Sequence, residues 1–426
     1  MKGRTIIELT DVNTKEVKRI EDCNMFTNAL DSVFNKIPCW QFNSAVADPS
    51  HFSWSELNSL IPIVGNALGG LLLFPNEMEE NPERIFAPAS NKPTGIASFD
   101  GYAGEDTRRG SFNSIESGKL ANGYRFVWDF PTSAGNGNIS CVCLTSKKGG
   151  AGYFNSGDQI VKDNTPSPHA FRPSGVYYFN QAVARNSYPF GADNKGIYIK
   201  DYEKRILRQR MPLDRYTLLG NYSEFDELGF VDDDGSPMLY DGKICIVRNP
   251  TNNSGNASVT IDMYDPDTWE KTTRTLTFSA QIYASHMWRS TCVSNGYLYL
   301  LGATRRNYYK VKLDNLADVQ EIPLTFEANP ERYGSLTAWN NGAIGSQAII
   351  EEDNTAFNIN LRNTIPFAVH GVWLMCGIAT TGSDTKEMNI GCTCLMPYLA
   401  TINNLSTPVV KGATQTMKVT YIVTED

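Results

Sequence analysis

Arginine, asparagine and tyrosine stand together in the stretch ATRRNYY at residues 303–309. Arg305, Arg306, Asn307 and Tyr308 supply two guanidinium groups, an amide and a phenol ring. Such groups hydrogen-bond and stack on sugar rings, and guanidinium also pairs with the phosphate or carboxylate of an anionic polymer. Charged neighbours in a loop are rarely both buried, so we expect both arginines to be exposed and to bind a glycan.

Two further stretches, YASHMWRST at 283–291 and NPERYGSLTAWNNG at 329–342, contain the same types of residue. The candidate ligand-binding residues in them are His286, Trp288, Arg289, Tyr333 and Trp339. Each tryptophan has an alternative interpretation as a buried residue of a sheet core, and the histidine as an ordinary strand or turn residue. We therefore predict that ligand binding lies in the loops of this region, with ATRRNYY as its best single segment.

Catalytic chemistry has less support. The four histidines lie in no nucleophile-elbow or metal-ligand pattern. Glycoside hydrolysis needs two carboxylates facing one cleft, and Asp193, Asp241 and Glu331 are the candidates. Acidic turn residues are common between strands, and sequence spacing does not show that two of them converge. We predict no catalytic residue and keep a glycan-cleaving enzyme as the alternative.

Metal sites and cofactors are not predicted. The pairs Cys141/Cys143 and Cys392/Cys394 each place two sulfurs on one face of a strand, but this spacing is poor for zinc and favours core packing. Residues 231–241 partly match a calcium loop through Asp232, Asp234 and Asp241. Phe230 occupies the position of the first ligand, which should be aspartate, so the segment is interpreted as a solvated turn.

A repeated strand pattern positions these loops. A small polar residue, a glycine and an apolar or aromatic strand recur with Gly196, Gly242, Gly296 and Gly342, at spacings of 46, 54 and 46 residues. A period of about 40–50 residues with several short strands is typical of β-propeller blades. Strands of the alternative, a β-sandwich, recur about every 8–12 residues without a long period. We expect an all-β fold with a kelch-like propeller of about five blades, the glycines at equivalent positions.

Composition limits the function. The chain has 426 residues and a net charge of −8, with no basic stripe, so a nucleic-acid role is not expected. The charged N-terminal residues carry no secretory h-region. The longest apolar stretch, at 60–74, is too short and too interrupted by Gly and Pro to cross a bilayer.

Both chain ends have strand patterns of their own. A hairpin is predicted at 4–21, then a helix capped by Asn24 with an apolar stripe to Ile37. Residues 417–423 alternate strongly, and we expect them to pair with the N-terminal hairpin. The expected organisation is a small α+β attachment domain from 1–75 and 405–426, a connector with a β-hairpin at 76–160, and the β-propeller at 161–404.

Three stretches outside the repeats resemble structural proteins of tailed bacteriophages that infect Gram-positive, often gut, bacteria. They are TIIELTDVNTKEVKRIEDCNMFTNALDSVF, RRGSFNSIESGKLANGYRFVWDFPTSAGNGNISCVCLT and LATINNLSTPVVKGATQTMKVTYIVTE. The resemblance implies a virion component made in the bacterial cytoplasm, of the tail-fibre or receptor-binding type. The expected partners are other virion proteins, bound through the terminal domain, and host cell-surface polysaccharide, with the protein a homo-oligomer. The alternatives are a glycan-cleaving tail spike, and a collar or capsid fibre or decoration protein without receptor binding.

Overall fold

The computed structural model describes residues 1–35, 67–88, 90–147, 179–183, 188–193, 195–201, 203–210, 225–232, 235–284, 290–328, 336–358, 364–379, 388–395 and 397–425. Its first elements are eight strands and one helix, α1 (Ala29–Asn35). The strands are β1 (Lys2–Asp11), β2 (Val17–Phe26), β3 (Gly70–Phe74), β4 (Gly95–Ala97), β5 (Ser111–Phe112), β6 (Gly118–Leu120), β7 (Gly123–Phe130) and β8 (Gly137–Thr145).

Five four-stranded antiparallel sheets follow in the described part of the chain. The first is β10 (Tyr188–Ala192), β11 (Gly196–Lys200), β12 (Arg205–Arg210) and β13 (Phe225–Phe230). The second is β14 (Ser236–Tyr240), β15 (Lys243–Asn253), β16 (Asn256–Tyr264) and β17 (Lys271–Ser279). The third is β18 (Thr291–Ser294), β19 (Tyr297–Leu301), β20 (Asn307–Lys312) and β21 (Val319–Pro323). The fourth is β22 (Leu336–Trp339), β23 (Gly342–Gly345), β24 (Ala348–Ile350) and β25 (Ala356–Asn358). The fifth is β26 (Thr364–His370), β27 (Trp373–Ala379), β28 (Met388–Cys394) and β9 (Phe179–Val183).

The five sheets form a closed ring. The first strands β10, β14, β18, β22 and β26 contact one another in that order, and β26 contacts β10 again. Strand β9, which precedes the first sheet in the chain, pairs with β28 and completes the last sheet. Apolar side chains of adjacent sheets share cores, as where Val247 and Val259 of the second sheet pack with Leu298 of the third. The predicted all-β class and β-propeller are confirmed.

Tight turns join the first and second strands of the sheets. Asp241–Gly242 and Asn295–Gly296 are two-residue turns with positive φ at both positions, as the twist of a hairpin requires. In the fourth sheet Asn340 and Asn341 take these two positions, with φ of 44° and 60°. Gly242 and Gly296 are therefore equivalent, whereas the predicted equivalence fails at Gly196 and Gly342, which are the first residues of β11 and β23. Gly342 lies one position later, where a Cβ would meet the carbonyl oxygen of Ile350 at 2.0 Å.

The last two strands, β29 (Thr401–Lys411) and β30 (Gln415–Thr424), return the chain to its start. A ten-stranded sheet has the order β4-β3-β8-β29-β2-β1-β30-β7-β5, and β6 pairs with β7 on the same edge as β5. Its two ends meet at a parallel bridge between Ile96 and Arg109, so the sheet closes into a barrel. Trp128 is fully buried inside, with its indole N–H donating to the carbonyl of Ser98 at 3.0 Å.

The two chain ends pair as expected. Strand β30 runs antiparallel to β1 from Lys2↔Thr424 to Asp11↔Gln415, and on its other edge it pairs with β7. The hairpin of β7 and β8, assigned to the connector from sequence, belongs to this same barrel sheet.

Two local predictions are corrected. The residues from Asn24 to Phe26 continue strand β2, because Met25 and Phe26 pair with Ile402 and Thr401 of β29. The helix begins only at Ala29. The strand predicted after Gly342 is two strands, since a bend at Ser346 and Gln347 divides it into β23 and β24.

The barrel contacts the propeller through α1. Ser32 is buried, and its hydroxyl accepts a hydrogen bond from the Val372 backbone N–H at 3.1 Å. The indole N–H of Trp373 donates to the Ser32 carbonyl at 3.2 Å. A Cβ on Gly371 would lie 2.0 Å from the Ser32 hydroxyl, so the first turn of the fifth sheet fits closely against the helix.

Replacing Ser32 by alanine leaves the buried Val372 N–H without its acceptor, which costs about 1–3 kcal/mol. We expect Ser32→Ala to lower the free energy of unfolding in guanidinium by that amount. The control is Ser279→Ala, at an exposed serine of β17, which should change stability by less than about 0.5 kcal/mol. An effect of Ser32→Ala as small as that of the control would contradict this role.

A second buried polar group lies at the end of β29. Lys411 is almost fully buried, and its ammonium donates to the Pro131 carbonyl at 2.9 Å and to Asn136 Oδ1 at 2.6 Å. Burial lowers the pKa of Lys411 from 10.5 to about 8. The folded protein therefore releases this proton at lower pH than the unfolded chain does.

The sign of the pH dependence follows from this order of release. Below about pH 8 the buried ammonium lowers the free energy of unfolding by its full amount. Between about pH 8 and 10.5 the folded protein loses this charge, so its free energy of unfolding rises relative to that of a variant without the amine. We expect the difference in unfolding free energy between the native protein and Lys411→Met to grow in favour of the native protein across this range. A difference that is constant with pH would contradict the burial of this charge.

Candidate functional site

The segment 302–306 joins β19 to β20 and is held by the connection that follows β21. The backbone N–H groups of Leu324 and Ala328 donate to the carbonyls of Arg306 and Arg305, each at 2.8 Å. Asn307 Oδ1 accepts a hydrogen bond from the Thr304 hydroxyl at 3.2 Å. The loop is therefore a defined platform for its two arginines.

Both predicted arginines reach the surface. The Arg306 side chain is 63% exposed, and that of Arg305 is 35% exposed. Arg305 forms an ion pair with Glu327, and its guanidinium lies 6.0 Å from the ring centre of Tyr283. Arg306 lies 3.9 Å from the other oxygen of Glu327, so it is the less tightly held cation of the pair. The cluster offers donors, one shared carboxylate and an aromatic ring.

The other two residues predicted in this loop do not face solvent. Asn307 is 6% exposed and Tyr308 is 4% exposed, because both belong to strand β20. Tyr308 packs in the core between the third and fourth sheets, and burial raises the pKa of its hydroxyl. They support the loop from below and are removed from the predicted binding set.

Trp339 lies at the face of the propeller opposite to the one that bears the segment 302–306. It ends β22, the first strand of its sheet, whereas 302–306 joins a second strand to a third. Antiparallel strands alternate in direction, so these two positions are at opposite faces of the propeller. Trp339 is also 3% exposed, which agrees with its alternative interpretation as a core residue. We call the face that bears 302–306 the distal face, and the other, which contacts the barrel, the junction face.

His286, Trp288, Arg289 and Tyr333 lie outside the described residues. Glu331 and Asp234 do so as well.

A cleft of about 470 Å³ lies at the junction face, and we call it the junction cleft. One wall is the segment 79–86, which belongs to the irregular stretch between β3 and β4. The other wall includes the turn of Asn340 and Asn341 in the fourth sheet and Gly371 in the fifth. Phe86 and Trp339, both almost fully buried, also line it, with ring centres 5.4 Å apart. The lining of the cleft thus combines polar and aromatic residues.

Hydrogen bonds hold the segment 79–86 in place although it has no regular structure. The Asn404 side chain bonds both the N–H and the carbonyl of Met78, at 3.0 and 2.7 Å. The backbone N–H of Leu399 donates to the Ile85 carbonyl at 2.8 Å, and that of Asn28 donates to the Pro82 carbonyl at 2.8 Å. Sequence patterns did not single out this segment, because such anchors come from distant strands and leave no period.

Asp193 is held by hydrogen bonds within its own turn. Its carboxylate accepts hydrogen bonds from the backbone N–H groups of Lys195 and Gly196 and from the Tyr198 hydroxyl. Burial, and then the bond to Asp193, raise the pKa of Tyr198 to about 12. These bonds give the carboxylate a structural role in the turn. Asp241 is in the tight turn before β15.

The residues of the calcium-loop and zinc patterns have the following positions. Asp232 and Asp241 flank the ends of the five-residue strand β14, which separates them by roughly 15 Å, too far to bind one ion. Cys141 and Cys143 are buried in the barrel with sulfurs 3.7 Å apart, and the side chains of Cys392 and Cys394 lie outside the described residues.

Among the described residues, no three His, Cys, Asp or Glu side chains are grouped to hold a metal ion. No helix of the described part is long and apolar enough to cross a membrane.

Comparison with known proteins identifies no family. No protein-family model matches the sequence, and no curated protein matches it. Among solved structures, the chain is similar to a luciferin-regenerating enzyme, with a TM-score of 0.29 and 10% identity over 54% of this chain and 95% of the other. It is also similar to Hsv2 of Kluyvelomyces marxianus, with a TM-score of 0.22 and 9% identity over 65% of this chain and 99% of the other. Likeness at this level carries no argument about activity.

Proposed function

We propose that this protein is a structural protein of a tailed-phage virion that binds the host surface. The barrel attaches it, as a homo-oligomer, to other virion proteins, and the distal face of the propeller binds host cell-surface polysaccharide. The proposal rests on the resemblance of three stretches to phage structural proteins. All three contribute strands to the barrel, namely β1 and β2, β5 to β8, and β29 and β30.

The single observation that carries this division of roles is the placement of the barrel on one face of the ring. Ser32 and the segment 79–86 contact the first turns of the fourth and fifth sheets, all at the junction face. Loops such as 302–306 are directed away from it. A protein that is anchored by its barrel would present the distal face outward.

We call Arg305, Arg306, Glu327 and Tyr283 the distal cluster. Its chemistry suits a hydroxylated or anionic polymer. Arg306 presents a planar guanidinium to solvent, and such a fork bonds paired hydroxyls, phosphates or carboxylates. The chain as a whole has a net charge of −8, which repels anionic wall polymers. A local pair of cations is therefore the favoured contact for such a polymer, and Glu327 adds an acceptor for sugar hydroxyls.

We expect Arg306→Ala to weaken adsorption of the purified protein to host cells by about tenfold, since one charge-assisted contact contributes about 1.4 kcal/mol or more. Arg305→Ala should have a smaller effect because Glu327 already engages that guanidinium. The double variant should bind least, with a melting temperature close to that of the native protein.

The matched control is Arg19→Ala, which removes a 53% exposed arginine with acidic partners from the barrel. It should leave adsorption unchanged. Unaltered adsorption of the double variant would remove this loop from the binding site. Release of soluble saccharide from host wall by the native protein would instead favour a glycan-cleaving spike, and absence of cell binding would favour a collar or decoration protein.

A further inference from the structure

The junction cleft has a mostly buried cation in its wall that is incompletely paired. The Arg84 side chain is 18% exposed, and its guanidinium lies 3.4 Å from Glu79 and 3.9 Å from Glu352. Charge-assisted bonds between such groups are ordinarily about 2.7–2.9 Å long. Arg84 Nε is buried and has no acceptor among the described residues. The two long contacts are made by the terminal nitrogens of the guanidinium, and an acceptor in the cleft that Arg84 lines would add a shorter bond there.

The opposite wall presents amides without partners in the described part of the chain. Asn340 and Asn341 both have positive φ and form the two-residue turn after β22. Their backbone positions are set by the turn, and no hydrogen bond of either carboxamide is formed within the described residues. Each carboxamide provides donors and an acceptor at the rim of the cleft.

The charge of the rim disfavours an anion. Glu79 and Glu83 are exposed there beside the single cation Arg84, so an incoming phosphate or carboxylate meets net negative charge. A cationic ligand would suit the carboxylates but would be repelled by Arg84. Hydroxyl groups satisfy both, because each accepts from a guanidinium or amide and donates to a carboxylate.

We propose that the junction cleft binds a saccharide of one or two rings. A volume of about 470 Å³ lies in the range of small-molecule sites, about 300–1,000 Å³. Phe86 and Trp339 are almost fully buried, so they contribute only a small apolar part of the lining, against which a C–H edge of the sugar packs. This site is separate from the distal cluster and lies between barrel and propeller, so a bound saccharide contacts both parts at once.

The experiment measures binding to the full chain by saturation-transfer NMR and thermal shift. The probes are glucose, galactose, rhamnose, N-acetylglucosamine and the disaccharides lactose and maltose, with inorganic phosphate and ethylenediamine as charged comparisons. We expect at least one saccharide to bind and to raise the melting temperature. Neither charged probe should do so.

Two conservative variants test the position of the site. Arg84→Lys keeps the positive charge near Glu79 and Glu352 and removes the planar fork. Asn341→Gly removes a carboxamide and leaves a turn of the same kind as Asn295–Gly296, so the fold is unstrained. Each should weaken saccharide binding by about tenfold with little change in the melting temperature of the unliganded protein.

The double variant Arg305→Ala/Arg306→Ala separates this inference from the proposed function. It should bind the small saccharides as the native protein does, even where adsorption to cells is lost. Binding of phosphate or the diamine in place of any sugar, absence of all binding, or sugar binding unaffected by Arg84→Lys and Asn341→Gly would each overturn the proposal.

Discussion

The pairing of the two chain ends is the constraint on which the rest of the structure depends. Strand β30 lies between β1 and β7 in the barrel sheet, with Val419 and Tyr421 fully buried, so the last residues of the chain complete a core that the first residues begin. Within the barrel, the Tyr421 hydroxyl donates to Thr401 at 2.6 Å. A second closure lies inside the first, where β9 completes the fifth sheet beside β28. Both join residues far apart in sequence, so the ring closes only when β28 is in place and the barrel only when β30 is.

This double closure fixes which face of the propeller is covered. The chain enters the ring from the barrel at β9 and leaves it after β28, and α1 and the segment 79–86 cover the first turns of the fourth and fifth sheets. The remaining face carries the second-to-third-strand loops. This geometry supports the proposed separation of an attachment part from a binding part. The barrel covers the junction face, and the distal face is available to a different partner.

Much of the fold could be predicted from the sequence where a local pattern of residues determines the structure. Alternation in 417–423 predicted β30, and the repeated polar residue and glycine marked where the second strand begins in four of the sheets. Prediction failed where the deciding contact is distant. Met25 and Phe26 fit a helical stripe, yet pairing with β29 makes them strand residues. Tertiary pairing outweighs a short apolar period in such cases.

The candidate site was harder to predict than the fold. Both arginines were predicted to be exposed because they are adjacent charges, and Arg306 is exposed whereas Arg305 is only partly so. The face on which a loop lies depends on whether the strand before the loop is the first or the second of its sheet. The repeat pattern does not show which strand of a sheet is the first. Trp339 was therefore grouped with the arginines although it lies at the other face. Arg84 stands in an irregular stretch, and its place in the cleft depends on bonds such as that between Leu399 and Ile85.

The orientation of the protein on the virion is the central claim, and epitope accessibility measures it most directly. One short epitope is inserted at the exposed turn of Ser254 and Gly255 on the distal face, and another at the exposed hairpin turn of Asn13 and Thr14 on the barrel. The account predicts that antibody binds intact particles through the distal epitope and blocks adsorption, while the barrel epitope is reached only in the free protein. Antibody binding to intact particles through the barrel epitope alone would contradict it.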